Sequence, residues 1–301
     1  EIYQQTEGNP FFIGEAIRSL VFEGKVRWTG ERWQATVNIS ELELPQSVRL
    51  LIERRLVQLS PECRTTLTQA AVIGREFSSA LLCQALNLSE EIVAEHIDSA
   101  IQFQILTSPV DAVKNEHRGR FIAPLPPTAD VSASRGPVRD VDLAFTHDNF
   151  REVLYRWLNP LRRRVLHRQV AEAIESRYAT QLQPYYSTLG YHYQVAEKPA
   201  QAVDYLLKAA YLASSLYAFT DAANYMKTAI DLLIGDAERP RRAALLHQLA
   251  NIYLFTGYTD EAVKAGLASC ALWRDLGDIE KQAETYLDVA FFCHWQGREW
   301  D

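Results

Sequence analysis

The chain has 301 residues, enough for two or three domains with a real core, and its 48% hydrophobic and 23% charged residues are those of an ordinary globular protein. A formal net charge of −7 argues against a broad nucleic-acid-binding surface. The four cysteines, Cys63, Cys83, Cys270 and Cys293, show no CxxC spacing, which excludes a metal site or a secreted disulfide framework as the first reading and leaves reduced thiols in a cytoplasmic protein.

No apolar run approaches the roughly 18 residues that span a bilayer, and no signal peptide is present, so no membrane partner is expected. The chain opens at Glu1 inside a polar, helix-like phrase and stops at Trp300-Asp301 where a new helix is due, which is how a segment of a longer protein reads.

Residues 1–43 begin with Thr6-Glu7-Gly8-Asn9-Pro10-Phe11-Phe12, a turn leading into a helix. Gly24-Lys25 precedes a hairpin over 25–34, with Lys25 to Trp28 going out, Thr29-Gly30 as the turn and Glu31 to Gln34 returning. Trp28 and Trp33 are expected to cover one another or the helical segment.

Pro45 starts a helix whose stripe is Val48, Leu51, Ile52, Arg55, Leu56 and Leu59. Ser60-Pro61, a capping serine followed by proline at the first helical position, opens a second helix over Glu62 to Ile73. Ser89 gives a partial cap before Glu90 to Phe103. Ile105-Leu106-Thr107 is strand-like, with a partner at Val141 to Thr146. Three helices followed by a two-stranded ribbon is the pattern of a winged helix. Between the strands, Asp111 to Asp140 is rich in Pro, Ser, Ala and charge and reads as a long mobile wing.

His147-Asp148 leads into a helix over Asn149 to Leu158, and Pro160 starts another from Leu161 to about Tyr178. The second carries Arg162, Arg163, Arg164, His167 and Arg168. Leu161, Val165, Ala171 and Ile174 run through it as a core stripe, so the basic face reads as solvated or paired with acids rather than as a nucleic-acid site.

From about Tyr185 onwards the sequence repeats. Leu246, Leu249, Ala250, Tyr253 and Gly257 match Tyr286, Val289, Ala290, Cys293 and Gly297 at a shift of 40. The first four share one helix face, and the glycine supplies a left-handed cap. An earlier hairpin fits at a shift of 39, with Leu207, Ala218 in place of the glycine, and Ala223. A second frame also fits, through Tyr186, Leu189, Gly190, Tyr193, Ala202, Leu206 and Ala209, but the 39/40 frame keeps alternate helices pointing the same way and makes the helix from Tyr186 to Ala196 a leader. Both frames resemble the tetratricopeptide pattern, whose usual period is about 34 residues. An irregular helical bundle is the alternative.

The order of these phrases resembles the STAND ATPases, signal-transduction NTPases related to the AAA+ and NB-ARC proteins. Gly8-Asn9-Pro10 looks like the GxP motif of their lid domain, and Leu44 to Val48 with Ile52 to Leu56 like the link into their winged helix. Phe145-Thr146-His147-Asp148 looks like their MHD signature, with Thr146 in place of the frequent methionine or serine, and Arg168 to Ala173 like the lead into the repeats of MalT-like regulators. The resemblance implies a mainly α fold. Residues 1–43 would be the end of a helical lid with the hairpin at 25–34. Residues 44–180 would be a winged-helix domain with a small β-wing, the 111–140 insertion and a connecting helix. Residues 181–301 would be a tetratricopeptide-type α-solenoid, truncated at its C-terminus. It also implies that Gly8 and Pro10 lie against a bound nucleotide, and that His147 reaches the phosphates of ADP while Asp148 orients the turn. ATP or ADP with magnesium would then bind the full-length protein, with none bound tightly by these residues alone.

No GxxxxGK[ST] loop occurs, and no acidic strand end is present to hold Mg²⁺, so this segment is not expected to be an enzyme and carries no catalytic or metal residues. His96, His117 and His192 lack a second ligand at helical spacing, adjacent Cys293 and His294 point to different sides of their helix, and no serine sits in an elbow motif. The expected role is the regulatory, sensing half of a STAND ATPase in signalling or transcription. A protein or small-molecule inducer would bind the concave face of the repeats, and the full-length protein would self-associate. The alternative is a non-catalytic repeat scaffold for protein interaction. Direct nucleic-acid binding is not expected, because the recognition-helix candidate Glu90 to Phe103 carries Glu90, Glu91, Glu95 and Asp98 and no Lys or Arg.

Overall fold

The computed structural model describes residues 13–14, 21, 24–29, 33–35, 48–108 and 142–295. The chain is mainly α-helical and divides into two compact units, one reaching to Pro160 and the other running from Leu161. The expectations placed on the turn at Gly8 to Pro10, the link at Leu44 to Ser47 and the 111–140 insertion fall outside the described residues.

Strands β1 (Val26–Trp28) and β2 (Trp33–Ala35) pair antiparallel with Trp28 opposite Trp33. That register leaves residues 29–32 between the strands, so the connection is four residues long and not the two-residue turn expected from Thr29-Gly30.

The first unit continues with α1 (Val48–Val57) and α2 (Pro61–Ile73). Ser60 caps α2 as its sequence implies, its hydroxyl accepting from the Cys63 amide at 3.1 Å with Pro61 in the first turn. Next come β3 (Glu76–Phe77), α3 (Ser79–Leu86), α4 (Glu90–Gln102), β4 (Leu106–Thr107), β5 (Leu143–Phe145) and α5 (Asp148–Arg156). The sheet has three strands in the order β3-β5-β4, both pairings antiparallel, rather than the two-stranded ribbon expected. Strand β3 is two residues long, too short for alternation to reveal it, and the eight-residue α3 was hidden in the same stretch. Helix, short strand, two helices and a two-stranded wing together make a winged helix.

The core of this unit gathers Ile52 and Leu56 of α1, Leu67 of α2, Leu82 of α3, Phe145 of β5 and Phe150 of α5, all essentially without solvent contact. Each such side chain contributes roughly 1.5–3 kcal/mol on burial. Phe77 and Phe145 meet with ring centroids 5.8 Å apart and planes tilted at 52°, which ties β3 to β5 on the core side.

The second unit contains α6 (Pro160–Arg177), α7 (Tyr186–Val195), α8 (Pro199–Ser215), α9 (Phe219–Leu232), α10 (Arg239–Thr256), α11 (Thr259–Leu276) and α12 (Ile279–Trp295). The last five start at residues 199, 219, 239, 259 and 279, a spacing of twenty residues per helix and forty per hairpin. The result is a tetratricopeptide-like solenoid of longer period than the usual one.

The turns repeat on the same schedule. Backbone at positive φ falls at Glu197 (54°), Tyr217 (60°), Gly257 (77°) and Gly277 (74°). In each case the next amide reaches back to the carbonyl five residues earlier: Lys198 to Tyr193, Ala218 to Ala213, Tyr258 to Tyr253 and Asp278 to Trp273, at 2.9–3.1 Å. This is the Schellman closure, which satisfies the last carbonyls of a helix and reverses the chain. The left-handed position before α9 is therefore Tyr217, not Ala218, and the repeat shift is 40 there as elsewhere, with Ala222 rather than Ala223 matching Ala262. Both Ala222 and Ala262 are fully buried.

Small residues set the helix spacing. A Cβ at Gly266 of α11 would stand 2.3 Å from Cγ2 of Val289 on α12, and one at Gly190 of α7 would stand 2.9 Å from Leu206 on α8. At those two crossings the backbones approach as closely as glycine allows.

Candidate functional site

Polar side chains gather at two places in the structure. One is the junction of β5 and α5, and the other is the layer formed by alternate helices of the repeat unit.

At the junction, the buried Phe145 fixes the end of β5, and its amide donates to the Arg75 carbonyl at 2.9 Å. The Thr146 hydroxyl donates to the carbonyls of Gln104 at 2.9 Å and Ile105 at 3.2 Å, which pins the chain as it leaves the sheet. A methionine could not make those bonds, so threonine here has a role of its own. His147 follows in extended conformation (φ −140°, ψ 142°) as the residue heading α5, and its side chain makes no capping hydrogen bond to the helix. It is exposed, as is Asp148. The Asp148 carboxylate accepts from Arg151 Nε at 2.7 Å. That bond, aided by the charges of Arg151 and Arg75 and partly opposed by burial, holds the carboxyl below its ordinary range.

Of the residues singled out for nucleotide binding, the structure thus brings His147 and Asp148 together at one helix start. Gly8 and Pro10 lie outside the described residues. The acids Glu90, Glu91, Glu95 and Asp98 of α4 are all exposed.

In the repeat unit, alternate helices are linked side to side by one polar contact each. Glu175 of α6 accepts from Tyr205 of α8 at 2.5 Å, and also from Tyr193 of α7 at 2.6 Å. Tyr211 of α8 donates to Gln248 of α10 at 2.9 Å, and His247 of α10 meets Asp288 of α12 at 2.6 Å. Helices α6, α8, α10 and α12 therefore form one layer and α7, α9 and α11 the other. Burial and the Glu175 carboxylate push both phenols, Tyr193 and Tyr205, above their ordinary pKa.

The sequence misplaced part of α6. Leu161, expected in the core, is 69% exposed, and the buried positions are Leu166, His167, Val170, Ala171, Ala173 and Ile174. His167 is therefore not part of a basic surface. Its Nδ1 lies 2.9 Å from Nδ1 of His192 on α7, with the two residues 0% and 1% exposed. One ring donates and the other accepts, so the pair is satisfied while both rings are neutral. Burial, with Arg163 for one and His167 for the other, lowers His167 to about 4 and His192 to about 3. No helical spacing could signal this pair, because its members lie on different helices. The basic face is partly paired as expected, with Arg164 on Glu197 at 2.6 Å and Arg168 near Glu172 at 3.8 Å.

All four cysteines are free thiols, Cys63 and Cys270 buried and Cys83 and Cys293 half-buried. Among the described residues no group of three or more His, Cys, Asp or Glu is placed to hold a metal ion, and no helix is long and apolar enough to cross a membrane.

No protein-family model matches the chain, and no curated protein matches it. Among solved structures it is similar to a Signal Transduction ATPase with Numerous Domains (STAND) protein with a tetratricopeptide repeat sensor from Pyrococcus horikoshii, at 12% identity and a TM-score of 0.31. The match covers 98% of this chain and 47% of that one, so the chain spans about half the length of its solved counterpart. A likeness at that level carries no weight for fold or function.

Proposed function

We propose that this chain is the regulatory and sensing half of a nucleotide-operated signalling switch of the STAND type. The observation that carries the reading is His147. It stands exposed at the head of α5 and sits at the position where the resemblance in sequence puts a phosphate contact. A helix start carries partial positive charge, and an imidazole there can donate to a phosphate oxygen. In this reading Asp148, anchored by Arg151, orients the turn, and Gly8 and Pro10 line the nucleotide from the lid. ATP or ADP with Mg²⁺ is held in the full-length protein by a phosphate-loop domain, while the residues here clamp ADP in the resting state. The exposed face of the α6, α8, α10 and α12 layer takes a protein or small-molecule inducer, whose binding releases the clamp and permits self-association. The acidic face of α4 makes direct nucleic-acid binding by this winged helix unfavourable. The setting is cytoplasmic.

The test is binding of a fluorescent ADP analogue to the full-length protein. His147→Ala lowers affinity at least tenfold while the circular dichroism spectrum stays that of the parent. Unchanged ADP affinity in that variant removes the clamp role and leaves a repeat scaffold whose nucleotide motifs have no function.

A further inference from the structure

The forty-residue period brings two successive turns of the solenoid to the same end of the stack, the turn between α8 and α9 and the turn between α10 and α11. Both present aromatic rings to solvent. Tyr217 is 82% exposed, Phe255 69% and Tyr258 51%, and Leu216 stands out beside them. The rings are not scattered. Tyr217 meets Phe219 edge-on at 6.0 Å, and Phe219 stacks on Phe255 at 5.1 Å with an 18° tilt, so the two turns share one continuous aromatic surface. Contiguous exposed apolar patches of this kind mark interaction sites more often than single exposed residues do.

Two further features belong to the same surface. Tyr217 holds left-handed backbone, at φ 60°, where the later turns use Gly257 and Gly277. A bulky residue there is strained, and such strain persists where the side chain has a use. The charge is also one-sided. Residues 215–223 and 254–262 contain Asp221, Asp260 and Glu261 and no Lys or Arg, and all three acids are exposed in the first turns of α9 and α11.

We propose that this end of the solenoid is a docking surface for an extended segment of a partner protein that carries Arg or Lys among apolar residues. Phe255 and Phe219 supply ring faces for the apolar side chains and for a guanidinium or ammonium group. Asp221 and Glu261 supply charge of the opposite sign at the rim, favouring basic segments and rejecting acidic ones. Tyr217 widens the surface on its own turn through its contact with Phe219, which a glycine could not do. This surface does not depend on the nucleotide clamp at His147, and it lies at the turns of the repeats rather than on the helix layer assigned to the inducer.

The test is panning of random dodecapeptides displayed on phage against the whole 301-residue chain, followed by fluorescence anisotropy with the enriched peptides. Enriched sequences carry Arg or Lys next to Leu, Phe or Pro, and their affinity falls as salt is raised. Phe255→Ala and Tyr217→Gly each weaken binding at least tenfold, although Tyr217→Gly is expected to fold better than the parent. The double variant Asp221→Asn, Glu261→Gln weakens binding severalfold and flattens the salt dependence. The proposal is overturned if nothing enriches, if enriched peptides lack basic residues, or if they bind both aromatic variants as tightly as the parent. It is also overturned if sedimentation shows a dimer that Phe255→Ala abolishes, because the patch then covers a second copy of the chain.

Discussion

Tyr217 carries the same left-handed backbone as Gly257, forty residues further along the chain, with φ of 60° against 77°. Both close their helix by the same Schellman pair, but only the glycine adopts that conformation without a Cβ penalty. Tyr217→Gly should therefore raise the stability of the repeat unit by roughly 0.5–1 kcal/mol, the left-handed penalty less the greater entropy of glycine in the unfolded chain. Urea denaturation followed by circular dichroism measures it. A loss of stability would mean that the ring's contact with Phe219 outweighs the strain.

Gly266 should not tolerate even a methyl group. With Val289 Cγ2 2.3 Å from an ideal Cβ, Gly266→Ala forces α11 and α12 apart and is expected to cost about 1–3 kcal/mol despite alanine's better helix propensity. Trimming the neighbour as well, in a Gly266→Ala, Val289→Ala double variant, should recover part of that loss in the same denaturation experiment.

The His167–His192 pair makes a prediction about acid. Folding lowers both rings, to about 4 and about 3, from the ordinary value of 6.5. Below pH 6.5 the unfolded chain takes up protons that the folded chain refuses. The stability present above that pH is therefore lost progressively as pH falls towards 4, by up to about 1.4 kcal/mol per pH unit for each ring. Replacing both rings with leucine removes the donor and the acceptor together, which is far milder than orphaning one. The double variant should show a clearly smaller drop in melting temperature between pH 7 and pH 5 than the parent. An equal drop would place the acid sensitivity elsewhere.

Glu175 accepts two phenols from different helices, so its removal should cost more than the removal of either donor. Tyr205→Phe is expected to cost about 1 kcal/mol, whereas Glu175→Ala leaves the hydroxyls of both Tyr193 and Tyr205 without their acceptor and is expected to cost about 2–4 kcal/mol. Thermal unfolding of the two variants side by side gives the comparison.

The longer helices of both units are legible from their periodicity and caps, whereas the eight-residue α3 is not. Ser60-Pro61 marked the start of α2 and the Leu246-to-Gly257 phrase marked α10, because both use local chemistry that a sequence displays directly. The short elements were not legible. Glu76–Phe77 owes its strand character to pairing with Leu143–Ala144, a partner 66 to 68 residues away that no local window contains. The left-handed turn before α9 lies at Tyr217, one residue before the alanine that aligns with Gly257 at a shift of 39, because the sequence signal for it is glycine and the chain uses tyrosine. His167 read as part of a basic face for a related reason. A histidine among arginines looks solvated until the neighbouring helix brings His192 against it. At the candidate site, the phrase through His147 and Asp148 could be read as a motif, but the anchoring of Asp148 by Arg151 and of Thr146 by two carbonyls required the fold.

The sheet order β3-β5-β4 has a kinetic consequence. Every helix from α7 to α12 packs on its immediate neighbour in sequence, so that half of the chain can close by short loops, one hairpin at a time. The winged helix cannot. Its central strand arrives last and must find Glu76–Phe77 across the whole intervening stretch before Phe145 can fill the core. Rates fall as pairing becomes less local, so the repeat unit should acquire its structure first on dilution from denaturant, and the winged helix should form the slower phase.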